Sequence, residues 1–174
     1  MDLIKESIRS IPRWPIESVT FRDITTLLLN PGAFKQACDK LYDRYRNEKI
    51  DKVVSIDARG FIFGAVLAYR LGAGMALVRK KGKLPPETIE KEYSLEYGSN
   101  VLEINKHALN RGDKVVVVDD LLATGGTVAA TIELVEMLGG EIVECFFVVE
   151  LPDLKGRERL KGHRITTLTS FEGE

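Results

Sequence analysis

Two adjacent carboxylates and a loop of small residues follow one another in the segment V-V-V-V-D-D-L-L-A-T-G-G-T, from Val115 to Thr127. The four valines predict a strand that is buried on both faces. The pattern places Asp119 and Asp120 where that strand ends. A short loop follows, and apolar residues recur at helical spacing from Val128 onward. The segment therefore predicts a strand, an acidic pair, a small-residue loop and a helix N-terminus.

This loop has the composition of an anion-binding turn. The first N–H groups of a helix lack intrahelical partners, and the helix dipole adds about half a positive charge there. Gly125 and Gly126 let a phosphate approach the main chain, and Thr124 and Thr127 add hydroxyl donors. The carboxylates suit sugar hydroxyls, or a Mg²⁺ ion that itself holds phosphate oxygens. Together these groups indicate a ribose 5-phosphate site. A plain glycine turn after a buried strand is the alternative.

Cationic side chains follow two other predicted strands. The strand Lys52 to Asp57 leads into D-A-R-G, with Arg59 at the turn, and the strand Met75 to Val78 leads into the basic run Arg79 to Lys83. Such a run is usually a solvated surface. Here it shares the carboxyl ends of strands with the phosphate loop, so its members, Lys80 included, are candidates for binding a second polyanion. The guanidinium of Arg59 can bind phosphate oxygens in a bidentate manner.

The elements that must position these residues alternate between strand and helix. Helices are predicted over Leu3 to Ile11, Pro31 to Asn47 and Phe61 to Leu71, and further strands over Ile142 to Glu150 and Arg164 to Thr169. This order predicts an α/β fold, a parallel sheet flanked by helices on both faces with right-handed crossovers. Ligands should then bind at the carboxyl ends of the strands.

The composition is that of an ordinary globular domain. The 174 residues are 44% hydrophobic and 29% charged, which predicts a single domain with a sizeable core. A formal net charge of -1 gives no drive towards nucleic acid or a membrane. The start M-D-L-I-K-E lacks the apolar core of a signal peptide, which predicts a cytoplasmic protein. Cys38 and Cys145 have no metal-ligand spacing and are predicted to be reduced core residues.

Five segments carry a resemblance to a known family. F-R-D-I-T, D-A-R-G-F-I-F-G-A, L-V-R-K-K-G-K-L-P, Y-S-L-E-Y-G and the central segment occur in this order between about Ile11 and Leu160. Together they resemble the adenine phosphoribosyltransferases, a branch of the type I phosphoribosyltransferases. The resemblance implies transfer of a 5-phosphoribosyl group from phosphoribosyl pyrophosphate (PRPP) to adenine. The products would be AMP and pyrophosphate, and the resemblance also implies Mg²⁺ and a homodimer.

The resemblance also assigns roles to the candidate residues. Asp119 and Asp120 would bind the ribose hydroxyls and, indirectly, Mg²⁺. The residues that would hold the 5-phosphate are Ala123, Thr124, Gly125, Gly126 and Thr127. Those placed at the pyrophosphate are Arg59, Arg79 and Lys83, with Asp57-Ala58 as the strained peptide of the pyrophosphate loop and the basic turn reaching towards a partner subunit.

The base and the closing loop come from the remaining segments. Residues 1–30 would form a small hood over the base, where Phe21 and the main chain of Arg22 meet the adenine and Leu154 packs on its ring. Residues 84–105 would form a mobile hairpin loop with Glu96 and Tyr97. With Arg59 these two are the predicted catalytic residues. A carboxylate there would stabilise positive charge on the ribosyl ring, and a closed loop would exclude water. An exposed hairpin without a catalytic role is the alternative.

The segment before F-R-D-I-T leaves other functions open. The family often carries a Pro-Gly pair and an aspartate there, whereas this chain has Arg13 and Trp14, then Glu17 and Ser18. The same transfer to another purine, such as hypoxanthine or xanthine, is therefore the nearest alternative. A regulator that senses PRPP without catalysis is the alternative from a different class.

Overall fold

The computed structural model describes residues 2–94 and 98–173. Its strands are β1 (Arg9–Pro12), β2 (Thr20–Asp23), β3 (Lys52–Ile56), β4 (Gly74–Lys80), β5 (Thr88–Ser94), β6 (Ser99–Asn105), β7 (Lys114–Leu122), β8 (Glu141–Glu150) and β9 (Ile165–Ser170). Its α-helices are α1 (Leu3–Glu6), α2 (Thr25–Leu29), α3 (Pro31–Tyr45), α4 (Gly60–Leu71), α5 (Gly126–Met137) and α6 (Gly156–Arg159), and a 3-10 turn covers Pro152–Leu154.

Seven strands form one sheet in the order β5-β6-β4-β3-β7-β8-β9. The strands β4, β3, β7, β8 and β9 run parallel, whereas β6 pairs with β4 in the antiparallel sense and forms a hairpin with β5. The predicted α/β fold with a parallel sheet is therefore confirmed, with an antiparallel hairpin added at one edge. No helix within these described ranges is long and apolar enough to cross a membrane.

The valines of β7 connect two hydrophobic cores because alternate side chains of a strand point to opposite faces. Val116 and Val118 pack in one core with residues of α3 and α4, whereas Val115 and Val117 pack in the other core with residues of α5. All four are fully buried. The helices therefore cover both faces of the central strand, as the continuous valine run predicts. Cys38 and Cys145 are free and buried, as expected.

The N-terminal segment forms a separate two-stranded sheet of β1 and β2. The predicted helix over Leu3 to Ile11 is wrong beyond Glu6, because Arg9–Pro12 pairs with β2 instead. The guanidinium of Arg9 donates to the buried Asp23 at 2.6 Å and helps to fix this pairing. Long-range strand pairing has overridden a local helical pattern.

Two strands extend further than their apolar runs suggest, and both extensions affect the site. The strand β7 continues to Leu122, so Asp119 and Asp120 lie within it rather than beyond its end. Pairing with β8 extends β7 through these residues. Similarly, β4 continues to Lys80 because its last residues pair with β6, so Arg79 and Lys80 belong to a strand and not to the turn.

Candidate functional site

The small-residue loop Ala123 to Thr127 lines a cavity of about 430 Å³ at the carboxyl end of β7. Helix α5 begins at Gly126, and the residue before it, Gly125, has φ +81°. No side chain caps this helix end among the described residues, so its first N–H groups are available to a ligand. A Cβ on Gly125 would stand 2.7 Å from the carbonyl oxygen of Gly156. Both the backbone angle and the close contact therefore require glycine.

The acidic pair lies in the same cavity, beside Arg59. The Nε of Arg59 is 2.7 Å from Oδ2 of Asp120, and the N–H of Asp120 donates to Oδ1 of Asp119 at 2.8 Å. Burial raises the pKa of Asp119 well above its ordinary value, and the charge of Asp120 adds to this effect. Burial also raises the pKa of Asp120, although Arg59 opposes the rise. Ligand hydroxyls or a cation would relieve this repulsion.

The turn before α4 brings Arg59 to the acidic pair. Asp57, Ala58 and Arg59 line the same cavity as the phosphate loop, and the Asp57–Ala58 peptide is cis. A Cβ on Gly60 would stand 2.8 Å from the Val118 carbonyl oxygen. Glycine at this position therefore lets the N-terminus of α4 approach the backbone of β7 directly.

A second cavity, of about 340 Å³, adjoins the first. Lys80, Lys83 and Tyr93 line it, and Asp57 and Thr127 line both cavities. The Thr127 hydroxyl donates to the Tyr93 oxygen at 3.3 Å. A helix N-terminus and an acidic pair in one cavity are therefore continuous with two lysines in the next.

Arg79 lies at this edge but is held by protein groups. Its Nε donates to Oδ2 of Asp57 at 2.8 Å, and its Nη1 donates to the Lys83 carbonyl at 3.0 Å. The buried Glu103 fixes the same turn by accepting the N–H groups of Lys83 and Leu84. Burial acts to raise the pKa of Glu103, but the backbone N–H donors of Leu84 and its neighbours bring it below its ordinary value.

The N-terminal sheet contacts Arg59, which lines the first cavity, through Phe21. The ring centroid of Phe21 is 5.6 Å from the Arg59 guanidinium carbon and 4.6 Å from the Trp14 ring. The Arg22 side chain makes other contacts, donating to Ser10 Oγ at 2.6 Å and lying over Phe171. Successive strand residues point to opposite faces, so only the main chain of Arg22 can share the side that Phe21 faces.

The remaining predicted residues lie at the edges of this arrangement. Leu154 ends the 3-10 turn after β8 and is 39% exposed. It precedes the connection that packs on the phosphate loop through Gly156. Glu96 and Tyr97 lie outside the described residues, so their role stays a prediction. The described strands β5 and β6 pair with each other as far as Ser94 and Ser99.

Three residues of the site were missed from the sequence. Tyr93 contacts the phosphate loop, Gly156 supports it and Glu103 fixes the basic turn. The alternating pattern of E-K-E-Y-S could have assigned one face of that strand, and Tyr93 with it, to the sheet. Nothing local identifies Gly156 or Glu103, because both act through contacts that are distant in sequence.

The chain is similar to a known protein family over most of its length. The phosphoribosyl transferase domain matches residues 24–172. An adenine phosphoribosyltransferase of Desulfosudis oleivorans is 63% identical over 174 residues, which cover 100% of both chains. The chain belongs to the phosphoribosyl transferase family and, within it, to the adenine phosphoribosyltransferases.

Solved structures agree with this assignment. The crystal structure of adenine phosphoribosyltransferase from Thermoanaerobacter pseudethanolicus has a TM-score of 0.93 at 49% identity and covers 97% of this chain and 98% of that one. The Saccharomyces cerevisiae enzyme, complexed with D-2,5-dideoxy-2,5-imino-altritol 1,6-bisphosphate and adenine, has a TM-score of 0.89 at 42% identity. That match covers 95% of this chain and 96% of the yeast chain.

Proposed function

We propose that this chain transfers the 5-phosphoribosyl group of PRPP to adenine, giving AMP and pyrophosphate. The observation that carries the proposal is the pair of adjoining cavities at the carboxyl ends of β3, β4 and β7. One combines an uncapped helix N-terminus with an acidic pair, and the other contains Lys80 and Lys83. A sugar phosphorylated at both ends fits this arrangement. The yeast relative, whose structure contains a bisphosphate together with adenine, supports it.

The ribosyl phosphate would bind in the first cavity. The backbone N–H groups from Thr124 to Thr127 would bind the 5-phosphate, because a helix N-terminus favours an anion. Asp119 and Asp120 would accept hydrogen bonds from the two ribose hydroxyls. Their raised pKa values fit this role, since hydroxyl donors favour the ionised carboxylates that burial disfavours. Binding would thus fix the ribosyl ring for displacement at its anomeric carbon.

The pyrophosphate would lie towards Arg59 and the second cavity. Arg59 is anchored on Asp120, and Lys80 and Lys83 supply further positive charge. Arg79 would take part through the Lys83 turn and Asp57, which it holds in place. These cations would stabilise the negative charge that builds on the leaving group as its bond to the ribosyl carbon lengthens.

The acidic pair also suits Mg²⁺. Residues 2–94 and 98–173 contain no group of three or more side chains that could together hold a metal ion, and Asp119 and Asp120 are adjacent carboxylates that line the first cavity. Mg²⁺ characteristically binds through one or two carboxylates together with substrate phosphate oxygens and water. Asp119 and Asp120 are therefore chemically suitable ligands for Mg²⁺. When bound, the ion would neutralise charge on the pyrophosphate oxygens.

The base would bind between the N-terminal hood, residues 1–30, and the connection that follows β8. Phe21 would contact the purine ring from one side, and the exposed part of Leu154 would pack on it. The main chain of Arg22 would recognise the edge of adenine. The hairpin loop of residues 84–105 would close over the site with Glu96 and Tyr97, near the contact between Tyr93 and Thr127.

A product assay with a panel of bases tests this proposal. Adenine, hypoxanthine and xanthine would each be offered with PRPP and Mg²⁺, and the nucleotide product separated by chromatography. We expect AMP to form with kcat/KM at least about a hundredfold above that for either oxopurine, since a site built for the amino edge leaves polar groups unpaired with a keto edge. Preferred use of an oxopurine would assign the chain to another purine, and no product with any base would contradict transferase activity.

A homodimer and a cytoplasmic location complete the proposal. The basic segment Arg79 to Lys83 would face the partner subunit. Static light scattering at micromolar concentration would measure the mass directly, and a mass near the 19.4 kDa of one chain would contradict the dimer.

A further inference from the structure

Arg159 lies at the phosphate loop although it belongs to a different connection. It is the last residue of α6 and is exposed. Its Nη1 atom is 3.3 Å from the position that a Cβ on Gly126 would occupy, and the ring of Tyr93 comes within 3.5 Å of that position. A guanidinium group therefore stands beside the first residue of α5, where the helix N-terminus opens into the cavity.

One backbone contact fixes α6 against this loop, and one ion pair fixes α6 against the end of β8. The backbone of Gly156 packs so closely on the loop that a Cβ there would lie 2.3 Å from the Ala123 carbonyl oxygen. Arg157 donates from Nε and Nη2 to the two carboxylate oxygens of Glu150, at 2.6 Å and 2.8 Å. The backbone that carries Arg159 is thus held at a defined distance from the phosphate loop.

The two arginines of α6, Arg157 and Arg159, differ in their ion pairing. Arg157 is neutralised by Glu150, and this contact lowers the pKa of that carboxyl. Arg159 forms no ion pair with any residue that the structure describes. Its positive charge therefore adds to that of the helix N-terminus.

We propose that Arg159 binds the 5-phosphate end of the phosphoribosyl ligand, as a cation additional to the backbone N–H groups of the loop. The inference rests on the proposed function for the nature of the ligand. A guanidinium beside the first residue of α5 can donate to phosphate oxygens that the loop N–H groups leave free, and such charge-assisted bonds are stronger than neutral ones. Because Arg159 is exposed, solvent reduces its contribution.

Ribose 5-phosphate and pyrophosphate serve as separate probes for the two ends of the site. Each is titrated by calorimetry into the parent protein and into Arg159→Gln, Arg159→Lys and Arg111→Gln variants. Arg111 is a matched control, since it is exposed, forms no ion pair in the described part of the chain and precedes the amino end of β7, at the opposite end of this strand from the phosphate loop. We expect Arg159→Gln to weaken ribose 5-phosphate about tenfold and to leave pyrophosphate within twofold. Arg159→Lys should recover part of the loss, and Arg111→Gln should match the parent.

Two results would overturn the inference. Ribose 5-phosphate affinity unchanged in Arg159→Gln would make the residue a solvated surface charge. An equal loss of affinity for ribose 5-phosphate and for pyrophosphate would indicate a general change in the structure or the electrostatic potential of the site. Because binding is measured without turnover, these outcomes are independent of which base the enzyme uses. If the parent protein catalyses no transfer but binds ribose 5-phosphate, the proposed function fails and the role of Arg159 is still tested.

Discussion

Replacing Gly125 by alanine should damage both the stability of the protein and its phosphate site. At φ +81°, a residue with a Cβ costs about 1–2 kcal/mol more than glycine. The new Cβ would also stand 2.7 Å from the Gly156 carbonyl oxygen, a backbone atom that can move only if the two connections separate. Such overpacking costs about 1–3 kcal/mol. Together the two effects should lower the free energy of unfolding by about 3 kcal/mol.

Gly162→Ala is the matched control because it isolates the cost of the backbone angle. Gly162 has φ +93°, and nothing lies within 4 Å of a Cβ placed there. At about 2–4 °C per kcal/mol for a domain of this size, Gly125→Ala should lower Tm by roughly 6–12 °C. Gly162→Ala should lower it by about half as much, because only the conformational cost applies.

Differential scanning fluorimetry with and without ribose 5-phosphate measures both effects. A ligand that binds the native state raises Tm according to its occupancy. We expect the parent and Gly162→Ala to show the same rise, and Gly125→Ala to show almost none. If Gly125→Ala has the same Tm as Gly162→Ala and ribose 5-phosphate raises its Tm as much as that of the parent, the close contact with Gly156 does not shape a phosphate site. Such a result would refute the reasoning.

Three further predictions concern other parts of the site and the hood. Asp119→Asn and Asp120→Asn should each reduce kcat/KM for PRPP at least tenfold while changing Tm little, because they remove acceptors for the ribose hydroxyls; unchanged steady-state turnover in either variant would exclude the role. Glu96→Gln should lower kcat about a hundredfold with both KM values nearly constant if the carboxylate acts only in the transition state; a kcat within about threefold of the parent would remove it from the site. The hydrogen bond from the Thr25 hydroxyl, and to a smaller extent that from Arg9, lowers the pKa of Asp23 from 3.8 to about 2. The ionised Asp23 carboxylate therefore stabilises the fold above pH 3.8, and this stabilisation is lost as the pH falls through about 2. Urea unfolding between pH 5 and pH 2.5 should therefore show a smaller loss for Asp23→Asn than for the parent, and equal losses would contradict this.

The sequence predicts the central part of the site because its signals are local. Four consecutive valines identify a strand covered on both faces, and the small-residue loop with a helical pattern after it identifies an anion-binding turn. Both features depend on neighbours in the chain, so the prediction of a helix N-terminus at this loop is confirmed, and the helix begins at Gly126, two residues before the apolar pattern does.

Features that depend on distant pairing could not be predicted in this way. Asp119 and Asp120 lie inside β7 because β8 pairs alongside them, and Arg9–Pro12 is a strand because β2 pairs with it. The support of the phosphate loop by Gly156 is a backbone contact between two connections. Neither local propensity nor periodicity predicts such a contact.

A crystal structure with bound AMP tests the central claim most directly. We predict that the 5-phosphate oxygens lie within hydrogen-bonding distance of the N–H groups of Gly125, Gly126 and Thr127, and that the ribose hydroxyls meet Asp119 and Asp120. The adenine should then lie towards Phe21. A phosphate bound instead between Lys80 and Lys83, with the α5 N-terminus facing only water, would contradict the assignment of the two cavities.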